Sequence, residues 1–271
     1  MNFRRGVLQS GSFTVRGLLL ALSVASFPGF AQAEPCVLAS QHAGLMFPVE
    51  KVAPVWACRL QSIIDDYTTA TKVGPIRASM PESIYLYLLD RPPLAAALLN
   101  RLDFGLYKAE RLGPDLFWGN DGEGTEGNVE LVYQDRTSRI YYLEGSHHSR
   151  LLPDLTGKAV LFLRMNPVEE ASGGEAMEST MVSYVKLNNR IVAGLLSFIR
   201  PLIGGLISRK LAKGVGAVNR LGLEMRDHPD RVLFEATDPP SFAAEDVAFL
   251  SEALGRRQYP NLSVQPTKIK P

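Results

Sequence analysis

A short polar segment, Gly145–Ser149, contains a serine beside two histidines, which are residue types that hydrolytic enzymes use. With Glu144 before it and Asp154 after it, the segment suggests acid–base chemistry with His147 or His148 as the proton-transfer group. Successive side chains of a strand point to opposite faces, so two adjacent histidines cannot bind one metal from this strand. No Gly-x-Ser-x-Gly motif exposes a nucleophile. The pattern is typical of a polar strand end, with both histidines kept as an enzymatic alternative.

The glycine-containing segments predict no cofactor or metal site. Asp121–Gly127 lacks the alternating ligands and the distal glutamate of a calcium loop, so we expect a hairpin connection there. Gly204–Gly205 and Gly214–Gly216 lie in a helical context and do not follow a strand, which excludes a dinucleotide-binding motif. We therefore expect neither a resident cofactor nor a metal ion.

The first 33 residues have the layout of a secretory signal peptide. They hold three arginines and no acidic residue, then the apolar run Gly17–Phe30 and the small residues of Ala31–Ala33. We expect cleavage before Glu34 and an exported protein, periplasmic or secreted; an uncleaved N-terminal anchor is the alternative. Without the three arginines the chain carries 26 basic and 28 acidic residues, a balance that does not indicate a nucleic-acid partner.

Two cysteines, Cys36 and Cys58, follow the signal peptide. An even pair in an exported chain indicates a disulfide bond, and two unpaired buried thiols are the alternative. Neither case provides a catalytic thiol.

Hydrophobic periodicity predicts a helix over Val49–Tyr67, and Ser79 with Glu82 resembles a capping box at the start of the next helix. A second short helix, Leu94–Leu102, follows. Turn signals then separate short apolar segments that predict antiparallel strands. The predicted strands are Lys72–Ala78, Leu106–Leu112, Asp115–Gly119, Asn128–Gln134, Arg139–Ser149, Lys158–Asn166 and Ala176–Leu187.

A long helix is predicted over Ile191–Met225, followed by a short helix over Ser241–Leu254 and a loose tail to Pro271. Several strands carry apolar residues on both faces. We therefore expect the sheet to be covered by the long helix on one side and by the N-terminal segment on the other. Arg200 and Pro201 argue against a membrane span in the long helix.

The element order, with Ser183–Leu187 running into Ile191–Leu196, resembles the START-like (SRPBCC, helix-grip) ligand-binding superfamily. The resemblance implies an α+β fold in which a curved antiparallel sheet of about seven strands wraps around a long C-terminal helix, with an N-terminal helical extension. It gives a domain plan of a signal peptide (1–33), an N-terminal helical extension (34–71), a helix-grip domain (72–226) and a C-terminal extension with its tail (227–271).

A sheet wrapped around one helix leaves a space that large side chains fill or that becomes a pocket. Methionines and aromatic residues facing such a space suit a lipid-like or polycyclic guest. The predicted pocket walls are Tyr133, Phe162, Met181, Phe198 and Leu202, and each of them has packed core as its alternative.

The sequence thus favours an exported, non-enzymatic binder or carrier of a hydrophobic small molecule or lipid in the cell envelope. One alternative is a cyclase- or hydrolase-type enzyme on the same scaffold, and another is an envelope interaction protein with a filled core. Arg209, Lys210 and Lys213 leave open a contact with a membrane surface, and a solvated helix face is the other explanation for them. The oligomeric state is left open.

Overall fold

The computed structural model describes residues 36–149, 154–171, 173–188 and 196–258, with backbone alone at 196–200 and 256–258. The predicted signal peptide and the residues beyond 258 lie outside this part of the chain. A two-stranded hairpin of β1 (Gln41–His42) and β2 (Leu45–Met46) precedes a seven-stranded antiparallel sheet. The seven strands are β3 (Thr69–Ala78), β4 (Lys108–Arg111), β5 (Leu116–Asn120), β6 (Thr125–Gln134), β7 (Ser138–His147), β8 (Leu155–Glu169) and β9 (Glu175–Leu187).

In the strand order β3-β9-β8-β7-β6-β5-β4, the strands β4 to β9 form a continuous meander. The first strand, β3, pairs with β9 at one edge of the sheet. The helices are α1 (Pro54–Ile64), α2 (Glu82–Asp90), α3 (Pro92–Arg101), α4 (Leu196–Asp227), α5 (Pro229–Thr237) and α6 (Ala244–Gln258). This is the predicted helix-grip arrangement, with β3 before two short helices and α4 after six consecutive strands. The predicted α+β helix-grip fold, with its seven-stranded antiparallel sheet and long C-terminal helix, is therefore confirmed.

The sheet has two covered faces, as predicted from its two-sided apolar pattern. We call the face toward α4 the cavity face and the face toward α1 the outer face. On the outer face, Leu60 and Ile63 of α1 pack with Phe47 against Val160 and Phe162 of β8, and all five are at most 2% exposed. The N-terminal extension therefore forms a filled hydrophobic layer over the outer face.

A disulfide bond joins Cys36 to Cys58, as predicted from the sequence. Cys58 lies in α1, and Cys36 lies at the beginning of the described chain. The bond therefore links the segment before β1 to the helix that covers the outer face. Such a bond is typical of an oxidising, exported environment.

The long helix α4 is packed at both ends of its described length. Ile203 is buried with Leu155 and Leu187 near one end, whereas Leu221 and Met225 belong to the main core near the other. Pro201 lies within the helix near its N-terminal end and does not interrupt it. The predicted start at Ile191 lies outside the described residues.

Two local predictions differ from the structure. The helix α2 begins after Pro81 with no side-chain cap, because Ser79 Oγ instead hydrogen-bonds Glu170, and Glu82 forms two 2.6 Å hydrogen bonds with Arg136. The predicted capping box is therefore wrong. The helix α5 was not predicted; its Val232 and Ala236 are buried in the same core as Leu221 of α4.

Candidate ligand-binding cavity

A cavity of about 1210 Å³ lies between α4 and the cavity face of the sheet. Leu206, Ile207, Leu211 and Val215 line it from α4. A row of paired residues crosses the sheet beneath them, one from each of five neighbouring strands: Phe117, Val129, Leu143, Ala159 and Val185.

Burial differs sharply between the two faces of the central strand β8. Val160 and Phe162, on the outer face, are completely buried. Ala159 and Leu161, on the cavity face, are only partly buried and line the cavity. Ala159 and Leu161 therefore lack the close packing that surrounds Val160 and Phe162 on the outer face.

One end of the cavity contains a buried cation. The guanidinium of Arg139 on β7 pairs with Asp90 at the end of α2, with 2.7 Å between Nη2 and Oδ1. The Arg139 side chain is only 4% exposed, whereas that of Asp90 is 48% exposed. The pair therefore places a neutralised guanidinium in an otherwise apolar wall.

Two tyrosines accompany Arg139 at this end. Tyr85 Oη and Ser179 Oγ are 2.7 Å apart. Burial raises the pKa of Tyr85, and burial also raises the pKa of Tyr141, against a smaller lowering by the charge and hydrogen bonding of Arg139. Both phenols therefore remain protonated at neutral pH and can donate hydrogen bonds.

A second polar group lies where the β5–β6 hairpin meets α4. Lys210 Nζ pairs with Asp121 at 2.5 Å and with Glu123 at 3.3 Å, and Lys213 also pairs with Glu123. Gly122 (φ +70°) and Gly124 (φ +87°) give the hairpin the left-handed backbone that glycine adopts at low cost. A hairpin connection is present, as predicted, but it spans only residues 121–124, because β6 begins at Thr125, and its carboxylates pair with lysines of α4.

His147 lies beside this group and lines the cavity. Its Nδ1 is 2.9 Å from Thr125 Oγ1, and burial, with a contribution from the charge of Lys210, lowers its pKa. His148 instead pairs with Asp154 at 2.9 Å, where both side chains are more than half exposed. The structure therefore separates the two histidines, as strand alternation requires, and places only His147 in the cavity wall.

Three polar atoms of the cavity wall are buried with no hydrogen-bond partner among the described residues: Tyr107 Oη, Arg139 Nε and Ser183 Oγ. Alternation along β9 places Ser183 on the same face as the predicted wall residue Met181, whereas no feature of the sequence pattern indicates that Arg139 is buried. A buried polar atom without a partner costs about 1–3 kcal/mol, so each of these atoms is a natural contact point for a guest molecule.

Among the five predicted wall residues, Met181 lines the cavity, close to Leu163 and Arg139 in the sheet. Phe162 does not, because its position on β8 points it to the outer face, where it stacks on His42 at 4.1 Å. Tyr133 also packs in the outer layer, since a β-bulge between Leu131 and Tyr133 reverses the alternation on which its assignment depended.

Of the two predicted wall residues on the long helix, Leu202 does not line the cavity. Leu202 is 57% exposed. Leu206, one turn later, lines the cavity, whereas Leu202 does not. The side chain of Phe198 lies outside the described residues.

Across the described ranges, no group of three or more His, Cys, Asp or Glu residues is arranged to hold a metal ion. None of the helices in these ranges is long and apolar enough to cross a membrane. Of the three basic residues considered for membrane-surface contact, Lys210 and Lys213 pair with carboxylates of the hairpin, and Arg209 is exposed.

No family model matches the chain, and a search of curated proteins found no match. Solved structures give similarities of fold. A conserved protein from Geobacillus kaustophilus shares 10% identity over 57% of this chain and 94% of its own, with a TM-score of 0.42. A START superfamily protein from Mycobacterium smegmatis shares 9% identity over 58% and 97% of the two chains, with a TM-score of 0.39. Norcoclaurine synthase from Thalictrum flavum shares 15% identity over 58% and 88%, with a TM-score of 0.37.

Proposed function

We propose that this protein is an exported binder or carrier of an apolar ligand, lipid-like or polycyclic, in the cell envelope. The observation that carries the proposal is the cavity of about 1210 Å³, which is lined mainly by apolar side chains, several of them only partly buried. Ligand pockets commonly measure about 300–1,000 Å³, so this volume suits a guest the size of a lipid or a fused-ring molecule. The hydrophobic effect favours filling such a space with apolar groups.

Extraction of the purified protein with organic solvent, followed by mass spectrometry, tests the proposal. We expect a co-purifying apolar molecule in stoichiometric amount. Ala159→Trp places a large ring in the centre of the cavity face and should abolish the co-purification. Asn166→Trp adds the same ring at an exposed position of the same strand and should retain it. A folded wild-type protein that yields no apolar molecule and binds none added to it would contradict the proposal.

Export is the second part of the proposal. It is supported by the signal-like layout of residues 1–33 and by the Cys36–Cys58 disulfide bond. Expression of the full chain in a Gram-negative bacterium, followed by fractionation and intact-mass measurement, should yield a periplasmic protein that begins at Glu34. A cytoplasmic protein of full mass would contradict this part.

A second candidate function, a cyclase- or hydrolase-type enzyme, is favoured by one observation: His147 lines the cavity and has a lowered pKa. A neutral imidazole can act as a general base on a bound guest. Hydrolysis of p-nitrophenyl decanoate by wild type, His147→Gln and His148→Gln distinguishes the functions. Activity lost only in His147→Gln supports an enzyme, whereas equal background rates in all three support a binder. The third alternative, an interaction protein with a filled core, does not fit the cavity.

A further inference from the structure

The cations that are buried or partly buried in the cavity wall are already paired with carboxylates. Arg139 is paired with Asp90, and Lys210 is paired with Asp121 and Glu123. Arg91, where α2 ends, pairs with Asp246 of α6 at 3.1 Å. Lys108 and Arg111 border the cavity from β4, where both are exposed to solvent. Among the described residues, the cations in the buried part of the cavity wall therefore already have carboxylate partners before a guest binds.

Two hydrogen-bonding groups in the same wall lack a hydrogen-bond partner in the described part of the chain. Arg139 Nε and Ser183 Oγ are buried and have no partner among the described side and main chains. Ser183 pairs with Leu161, which pairs with Tyr141, and Arg139 lies two residues before Tyr141 on the same strand. With strands about 4.8 Å apart and about 3.3 Å per residue, the Cα atoms of Arg139 and Ser183 are roughly 12 Å apart.

We infer that the guest is an uncharged apolar molecule that carries hydrogen-bonding oxygens, one accepting from Arg139 Nε and another reaching the Ser183 hydroxyl. This inference rests on the proposed function and narrows its ligand class. Carbonyl, ester and hydroxyl oxygens satisfy these groups without adding charge. A molecule with oxygens on a rigid or extended apolar body matches the separation of the two sites.

A carboxylate guest fits this wall poorly. Burying a carboxylate is costly unless a cation pairs with it, and the Arg139 charge is already balanced by Asp90. A second carboxylate at Arg139 would leave one net negative charge in the apolar wall. A neutral acceptor gives Arg139 Nε a hydrogen bond in place of the water that it loses on burial, and it brings no charge into the wall.

Calorimetric titration of the ligand-free protein at pH 8 with three chain-matched probes tests the inference: 1-decanol, 1-monodecanoylglycerol and decanoate. Decanoate is fully ionised at this pH. We expect both neutral probes to bind at least tenfold more tightly than decanoate. Decanoate binding as tightly as the neutral probes, or more tightly, would overturn the inference while leaving the proposed function intact. Failure of all three probes to bind, with no apolar molecule in solvent extracts, would overturn both.

Two conservative variants test the contact points. Arg139→Lys keeps the charge opposite Asp90 but removes Nε, and Ser183→Ala removes the hydroxyl with little change of volume. Ser183→Ala should weaken the binding of 1-monodecanoylglycerol about three- to tenfold, the size of one neutral hydrogen bond, and Arg139→Lys should weaken it at least as much, because Nε belongs to a charged group. Ser62→Ala, on the exposed face of α1, is the control and should leave the affinity unchanged. Circular dichroism and thermal unfolding establish that each variant is folded. Affinities of both folded variants within twofold of wild type would refute the assigned contacts.

Discussion

Leu161 and Phe162 are consecutive residues of β8 with opposite surroundings. Phe162 is completely buried, packed on Phe47 and His42 of the N-terminal extension, whereas Leu161 is partly buried and lines the cavity. The sheet therefore separates a filled hydrophobic layer, which supports the fold, from a chamber that can hold a guest. Stability and ligand binding should respond differently to substitutions on the two faces.

Phe162→Ala should cost about 3–5 kcal/mol in the free energy of unfolding, the range for removing a fully buried phenylalanine. Chemical denaturation measures this loss. The variant molecules that remain folded should keep their affinity for an apolar ligand, because the ring lies on the outer face. Leu161→Phe, the companion variant, adds bulk on the cavity face and should weaken binding with a smaller effect on stability. A Phe162→Ala protein that is as stable as wild type but cannot bind would mean that the ring belongs to the ligand site.

The Cys36–Cys58 bond should stabilise the protein by about 3 kcal/mol, since it closes a loop between cysteines 22 positions apart. The double variant Cys36→Ser, Cys58→Ser should show this loss in urea unfolding, as should the reduced wild type. Reduction should have no effect on the double variant, which provides the control. An unchanged urea midpoint after reduction would show that packing of α1 on the outer face holds the extension without the bond.

The fold could be predicted because its signals are local and repeated. Alternating apolar residues, turn residues and a long apolar helix predicted the order of elements in the helix-grip fold. Strands with apolar residues on both faces predicted that both faces of the sheet are covered. The sequence could not show which residues of a strand face the cavity and which face the outer layer, because Val160 and Leu161 are equally apolar and only tertiary packing distinguishes them. The β-bulge before Tyr133 changed the alternation without any glycine or proline to indicate it.

The sequence pattern also could not show that Arg139 is buried in the cavity wall. Arg139 follows a turn in a position where an arginine is ordinarily exposed, and its burial depends on Asp90 of α2, far away along the chain. Ser79 illustrates the same limit at a helix start. Its spacing to Glu82 fits a capping box, but both side chains have distant partners in Glu170 and Arg136. Tertiary contacts overrode the local preference in each case.

His42 should make the protein less stable in weak acid. The ring is 2% exposed, its Nε2 has no partner among the described residues, and burial lowers its pKa. The unfolded chain therefore binds a proton near pH 6.5 that the folded chain binds only at lower pH, so the contribution of His42 is complete above about pH 6.5 and declines as the pH falls.

Urea unfolding of wild type and His42→Phe at pH 7.5 and pH 5.5 measures this effect. Wild type should lose stability between the two values, and His42→Phe should lose less. His228→Gln replaces an exposed histidine between α4 and α5 and should keep the wild-type loss. Equal losses in wild type and His42→Phe would show that another group causes the acid sensitivity.

Lys210 should hold the β5–β6 hairpin against α4. Burial by itself raises the pKa of Asp121, but hydrogen bonds from Lys210 and from the amides of Thr125 and Glu123 hold that pKa below its usual value. The paired carboxylate therefore stabilises the fold above about pH 4 and loses this contribution as the pH falls further. Lys210→Gln should cost about 1–2 kcal/mol at neutral pH, because it leaves Asp121 partly buried without its cation.

Hydrogen exchange locates the effect of Lys210→Gln. Amides of residues 121–125 should exchange faster, whereas those of β8 and β9 should be affected only through the small change in global stability. Arg209→Gln removes the same charge from the neighbouring exposed position of α4 and should leave hairpin exchange unchanged. The hairpin borders the cavity, so faster exchange accompanied by faster ligand dissociation would identify this ion-paired contact as the point where a guest leaves. Faster exchange with unchanged dissociation would place the exit elsewhere, and unchanged exchange would show that hairpin packing alone is sufficient.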